Sequence, residues 1–166
     1  MQTNNMKNAK LVTWGIFAAA TLVLVGLDLL LKSWASANML GADSRVLVPG
    51  LLGLTYTRNT GAAFGLLGGF DWGRWALVVV KVVLISGLFW FYARLPHVRR
   101  AWFARVPVIL IIAGGLGNLI DRVFMGSVRD MLEFLFVNFP IFNLADIFVV
   151  VGCVLGVIVV FAEDYP

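Results

Sequence analysis

Four long apolar stretches restrict the fold of this chain more than anything else in it. They cover 11–27, 75–93, 106–120 and 147–162, and only Lys81, in the second, interrupts them with a charge. A helix needs roughly 20 apolar residues to cross the hydrocarbon of a bilayer, where every backbone N–H and C=O must be paired within the segment. Each stretch approaches that length. The first continues helically past Asp28 to Leu31, and the third gains Trp102 and Phe103, aromatic residues suited to the interface. The expected fold is an all-α membrane protein with four transmembrane helices, at about 11–31, 73–93, 104–122 and 144–162, in a single integral membrane domain over 1–166.

Composition leads to the same class. Of the 166 residues, 61% are hydrophobic and only 13% charged, whereas a soluble domain carries about a quarter charged residues. The net charge of +4 is spread along the chain or gathered in one loop, with no basic stripe interleaved with aromatics for stacking on bases. Nucleic acid is therefore not an expected partner; membrane lipids are. The single cysteine, Cys153, lies in an apolar run and the single histidine, His97, in a basic loop, so a zinc site is poorly supplied and no metal is expected.

The first stretch reads as a retained span rather than a cleaved leader. Its uncharged core exceeds an ordinary leader core, and Asp28 and Lys32 precede the cleavage-like Ala35-Ser36-Ala37. Four spans put both termini on one side. Lys7, Lys10, Arg94, Arg99, Arg100 and Arg105 fall on that side; Lys32, Arg45, Arg58, Arg74, Arg122 and Arg129 fall on the other. The count ties, and the dense, acid-free 94–105 loop tips the expectation towards cytoplasmic termini.

Two connectors carry the remaining pattern. In 39–70, Pro49-Gly50 and Gly53 mark turns, and Leu52, Leu54 and Tyr56 alternate with Gly53, Thr55 and Thr57, which reads as a strand in a small surface β region. Gly61 and the glycines of 65–69 point to a loop able to flex as a lid. In 124–140, Arg129, Asp130 and Glu133 mix with Phe134, Leu135, Phe136 and Phe139, the composition of a short amphipathic helix lying in the interface.

The residues left for chemistry are carboxylates and amides: Asp28, Asn59, Asn118, Asp121, Asp130, Asn143 and Asp146. No His-Glu-x-x-His and no Gly-x-Ser-x-Gly is present. Asp146 opens the fourth span, and Asp130 lies sixteen positions earlier. A short returning connector can bring the two carboxyls together at one membrane face. Two such groups cannot both ionise easily, so one keeps a proton while the other takes one from water. This chemistry needs no cofactor. Taken singly, Asp130 also reads as a solvated loop acid and Asp146 as a helix N-cap. Asp28 with Lys32 and Asp121 with Arg122 read as simple ion pairs. Gly114, Gly115 and Gly117 read first as close-packing positions between helices.

Taken in order, the strings Leu27-Asp28 with Lys32, Asn59-Thr60-Gly61-Ala62-Ala63-Phe64, Gly114-Gly115-Leu116-Gly117-Asn118-Leu119-Ile120-Asp121-Arg122, Gly126-Ser127-Val128-Arg129-Asp130 and Phe142-Asn143-Leu144-Ala145-Asp146 closely resemble those of bacterial lipoprotein signal peptidase, signal peptidase II. The resemblance implies an aspartic endopeptidase that removes signal peptides from diacylated prolipoproteins by cutting before the lipidated cysteine. It implies Asp130 and Asp146 as the catalytic pair, supported by Asp28, Asn59, Gly61, Asn118, Arg122, Asn143 and Ala145. It further implies a bacterial inner-membrane location, cytoplasmic termini, a site near the extracytoplasmic face, and inhibition there by globomycin-type compounds. Met131, where the family often has Phe, and Lys81, which can either snorkel or face a polar interior, are departures expected not to touch the chemistry. Two other classes fit some of the same features: a small proton-coupled transporter, or an assembly factor packing through the third-span glycines.

Overall fold

The computed structural model describes residues 2–61, 72–97 and 101–163. Four helices and a small sheet alternate along it: α1 (Gln2–Met39), β1 (Arg45–Val48), β2 (Leu52–Asn59), α2 (Gly73–Arg94), α3 (Trp102–Met125), β3 (Val128–Phe134) and α4 (Leu144–Glu163). The segments Lys7–Met39, Gly73–Arg94, Trp102–Met125 and Leu144–Ala162 are each long and apolar enough to cross a membrane. The four-helix architecture with a small sheet is therefore the one expected. The lid glycines of 65–69 lie outside the described residues.

Helix α1 runs to Met39 rather than ending near Leu31. It can carry Asp28 and Lys32 deep into the molecule because the two, one helical turn apart, form an ion pair of 2.7 Å, so neither charge meets hydrocarbon alone. Helix α3 is the centre of the bundle and packs against α1, α2 and α4. Its glycines allow this. A methyl group at Gly114 would collide with the Ala145 carbonyl of α4, and one at Gly117 with the Asp28 carboxylate of α1. The expected packing role of these positions is what the helices use.

Sheet order is β1-β2-β3, antiparallel throughout, with Thr57 opposite Asp130 and Asn59 opposite Val128. Here one expectation is corrected. The 124–140 connector holds strand β3, not a short interfacial helix. Gly126 ends α3 in a left-handed conformation, φ 75°, and the chain leaves extended. It then lies along β2, whose backbone groups would otherwise form an unpaired edge. Alternation along the strand sends Val128, Asp130 and Phe134 to one face, a cleft between helices. Met131 goes to the other and is fully buried with Ala35, Met39 and Leu54. An amphipathic composition is equally compatible with this two-sided burial.

Among the described residues, two apolar clusters hold the fold together. Phe17, Tyr92, Val108, Ile109 and Ile112 join α1, α2 and α3 near the start of α3. Ala35, Met39, Leu54 and Met131 seat the sheet on the end of α1. Within a bilayer the first gains from close contact rather than from escaping water, since the surrounding lipid is equally apolar.

Candidate active site

The geometry starts at the first turn of α4. A helix N-terminus leaves backbone N–H groups without partners. Here Asn143 caps the helix: its Oδ1 accepts from the Asp146 N–H at 3.0 Å, and Asp146 Oδ2 accepts from the Asn143 N–H at 3.1 Å. This reciprocal pair is a capping box, with Asp in the place usually taken by Glu or Gln. The alternative reading of Asp146 as the helix N-cap does not hold, since Asn143 is the cap and Asp146 its third-position partner. The Ala145 N–H, also in this first turn, donates to Asp28 Oδ1 of α1 at 3.0 Å.

The cap residue also connects the two aspartates. Asn143 Nδ2 donates to Asp130 Oδ1 of β3 at 2.6 Å and to Asn118 Oδ1 of α3 at 3.0 Å. Asn118 Nδ2 donates in turn to Asp146 Oδ1 at 2.7 Å, and Lys32 Nζ donates to Asn118 Oδ1 at 2.9 Å. Asp28, Lys32, Asn118, Asp130, Asn143 and Ala145 are all buried. Charged and amide groups so buried are costly unless every one is partnered. Four elements therefore converge on one hydrogen-bonded knot.

A second layer fixes the strand and the loop. Asp121 of α3 accepts from the Arg129 guanidinium, with the shortest contact 2.6 Å, and from the Arg129 backbone N–H at 3.0 Å. This grip sets the strand position one residue before Asp130. Arg122 donates to the carbonyls of Thr60 and Gly61, at 3.3 and 2.8 Å. The alternative reading of Asp121 and Arg122 as a simple ion pair does not hold, since Asp121 binds Arg129 and Lys32 instead. Asn59 Oδ1 accepts from the Gly61 N–H at 3.0 Å, and its side chain also hydrogen-bonds Asp130.

Burial pushes the Asp130 carboxyl up from its ordinary range to about 6, and the neighbouring Asp146 adds to the rise, against hydrogen bonds from Asn143 and Asn59 and the charge of Lys32. Asp130 is 2% exposed. Both aspartates open onto a cleft of about 590 Å³. One wall is Leu77, Val80, Lys81 and Leu84 of α2; another is Ile147, Val150 and Val151 of α4; Phe134, Phe139 and Phe142 close an end. Asn59, Gly61, Asn118 and Arg122 complete the polar floor.

All nine residues singled out from the strings thus come to one place. Met131 lies apart from the cleft, and of the two readings open to Lys81 the polar interior is the one observed: it lines the cleft with the aspartates. The tie of Arg129 to Asp121 was also not foreseen. Its only signal was a basic residue next to Asp130, indistinguishable in sequence from a solvated loop charge.

Comparison with known proteins adds to the geometry. The family described as signal peptidase (SPase) II matches residues 20–162. Lipoprotein signal peptidases of Streptococcus pyogenes serotype M5 (strain Manfredo) and serotype M18 (strain MGAS8232) are each 37% identical over 149 residues, covering 90% of this chain and 95% of theirs. Two solved structures share the fold, both of a bacterial membrane enzyme obtained by the in meso method. The one at 2.3 Å has a TM-score of 0.78 and 29% identity, over 91% of this chain and 90% of that one. The one at 1.9 Å has a TM-score of 0.75 and 30% identity, over 90% and 94%.

Proposed function

Since this chain belongs to the signal peptidase (SPase) II family and is an aspartic peptidase of the bacterial membrane, we propose that it cuts diacylated prolipoproteins immediately before the lipidated cysteine with Asp130 and Asp146 as its catalytic pair. Family membership removes the transporter and assembly-factor readings. The observation that carries the pair is Asn143, which hydrogen-bonds both aspartates, one through its side-chain amide and one through its backbone N–H.

The reaction runs without a cofactor. Asp146 takes a proton from a water as that water attacks the scissile carbonyl carbon, and Asp130 gives its proton to the carbonyl oxygen. The tetrahedral diol then collapses: Asp146 gives its proton to the amine nitrogen of the cysteine as the C–N bond breaks, Asp130 takes a proton from a diol hydroxyl and so regains its starting state, and the signal peptide leaves as a carboxylic acid that ionises in water. Asn118 and Asn143 hold the two carboxyls in place. Arg122 ties the Thr60–Gly61 loop to the edge of the cleft, with Asn59 beside Asp130. Asp28 supports the site by fixing the first turn of α4 through the Ala145 N–H.

The shape of the cleft suits a substrate that is itself an apolar helix carrying lipid. Helices α2 and α4 each pack on α3, and the cleft opens between them. Val80, Leu84, Val150 and Val151 on its rim are exposed, which in a bilayer means that they face lipid. A signal peptide enters from the side, and the acyl chains stay in the membrane. Globomycin-type inhibitors occupy the same cleft. The whole chain works as one membrane peptidase domain with both termini in the cytoplasm, the 94–105 loop on that side, and the sheet and aspartates near the extracytoplasmic face.

The test is cleavage of a purified diacylated prolipoprotein by wild type, Asp130→Asn and Asp146→Asn in detergent or lipid. Each folded variant is expected to lose about a thousandfold or more in kcat. Undiminished cleavage by either, or none by well-folded wild type, would overturn the reading.

A further inference from the structure

Most of the basic groups around the aspartates are locked in place. Lys32 pairs with Asp28 and donates to Asn118, Arg129 grips Asp121, and Arg122 is bonded to the Thr60 and Gly61 carbonyls. Arg74, from the start of α2, donates to the carbonyls of Arg122 and Val123. Lys81 differs from all of these. Half-buried on the α2 wall of the cleft, between Val80 and Leu84, it makes no hydrogen bond or salt bridge among the described residues.

Its place in the helix rules out simple escape to the interface. Lys81 is the ninth residue of α2, which starts at Gly73, so it lies roughly 12 Å along the axis from that end. A lysine ammonium there is tolerable only if it faces water or opposite charge, and the cleft provides both. From α4 it meets the field of Asp146 and from β3 that of Asp130, opposed by Arg122 of α3 and Lys32 of α1. Asp28, Lys32, Asp121 and Arg129 form one linked network of ion pairs whose two negative and two positive charges cancel. The charge balance of the cleft therefore rests on Asp130, Asp146, Arg122 and Lys81. With one proton on the aspartates the cations are in excess; with none, the charges balance.

Resting on the aspartate-pair mechanism above, we propose that Lys81 is a positioning residue for this reaction: its ammonium, lining the same cleft, sets the pH at which the pair surrenders the proton that peptide cleavage requires. A cation favours the doubly ionised pair, so removing it makes the pair hold its proton to higher pH. For two unit charges roughly 10 Å apart at an effective dielectric of about 20, the presence of one moves the titration of the other by about one pH unit. A lysine that serves only to pack the helix would leave the titration where it is.

The experiment is the pH profile of kcat/KM for the full chain cleaving a diacylated prolipoprotein in mixed lipid and detergent. Wild type is compared with Lys81→Met, Lys81→Gln and Lys81→Arg, with Asp130→Asn and Asp146→Asn alongside. The expected result is an alkaline limb raised by about one unit in the two neutral variants and restored in Lys81→Arg. The two neutral variants make the result independent of whether either one folds poorly. A limb within about 0.3 unit of wild type in the neutral variants, with both aspartate variants inactive, overturns the role of Lys81 and leaves the pair standing. Cleavage that persists in a folded aspartate variant overturns the pair, and the role of Lys81 with it.

Discussion

Asn143 does three jobs with one side chain and one N–H: it caps α4, orients Asp146 and holds Asp130. Asn143→Ala should therefore cost about 1–2 kcal/mol of stability through the lost cap, and also lose cleavage beyond what a cap alone explains. Thermal melting beside kcat separates the two effects. If kcat stays at the wild-type level while the melting temperature falls, Asn143 acts only as a cap. Asp130 gives a signed pH dependence. Its folded-state pKa is raised from the ordinary aspartate range to about 6, so the folded protein binds this proton more tightly than the unfolded chain does. The stability it contributes is full below the unfolded value and is lost as pH rises towards 6. Asp130→Asn should thus be more heat-stable than wild type at pH 8, by on the order of 2–3 kcal/mol, with the gap closing near pH 4. Wild-type kcat/KM should fall above an apparent pKa near 6, a value belonging to the pair rather than to one residue. A rate profile flat from pH 5 to 8 would contradict it.

Among the elements, α3 and β3 carry the precision of the site. Gly114 and Gly117 let α4 and α1 approach α3 closely enough for Asn118 to reach Asp146 and Lys32. Gly114→Ala must push back a backbone carbonyl of α4's first turn, whereas Gly115→Ala meets only the Ile85 side chain, at 3.1 Å. The first should cost about 1–3 kcal/mol and lower kcat steeply, because it displaces the turn bearing Asp146; the second should be mild. Measuring melting and kcat for both alanines checks this, and equal effects would sink it. The glycines were readable in the sequence as close-packing positions. Strand β3 was not, because whether a mixed segment pairs as a strand or lies as a helix depends on an edge being available. That edge is β2, far away in the chain and next to β3 in space.

Across the molecule, the cleft between α2 and α4 is the entry path in the proposed function. Its rim is apolar and its floor polar, an arrangement suited to the lipid-modified apolar helix proposed as substrate. Val150→Trp, which fills the α4 wall, should raise KM about tenfold or more for a lipid-modified substrate, at little cost in stability since Val150 is exposed. An unchanged KM would place the entry path elsewhere. Sequence alone determined the membrane class, the four helices and the set of polar residues that belong together, because apolar length and ordered short strings are local properties of a chain. Which partner each polar group takes is not local. Asp121 reaches Arg129 rather than Arg122, Asn143 rather than Asp146 caps α4, and Lys81 faces the aspartates rather than snorkelling. Only the tertiary structure decided those points, because a buried charge or amide binds whatever group the packing of distant segments brings within hydrogen-bond reach.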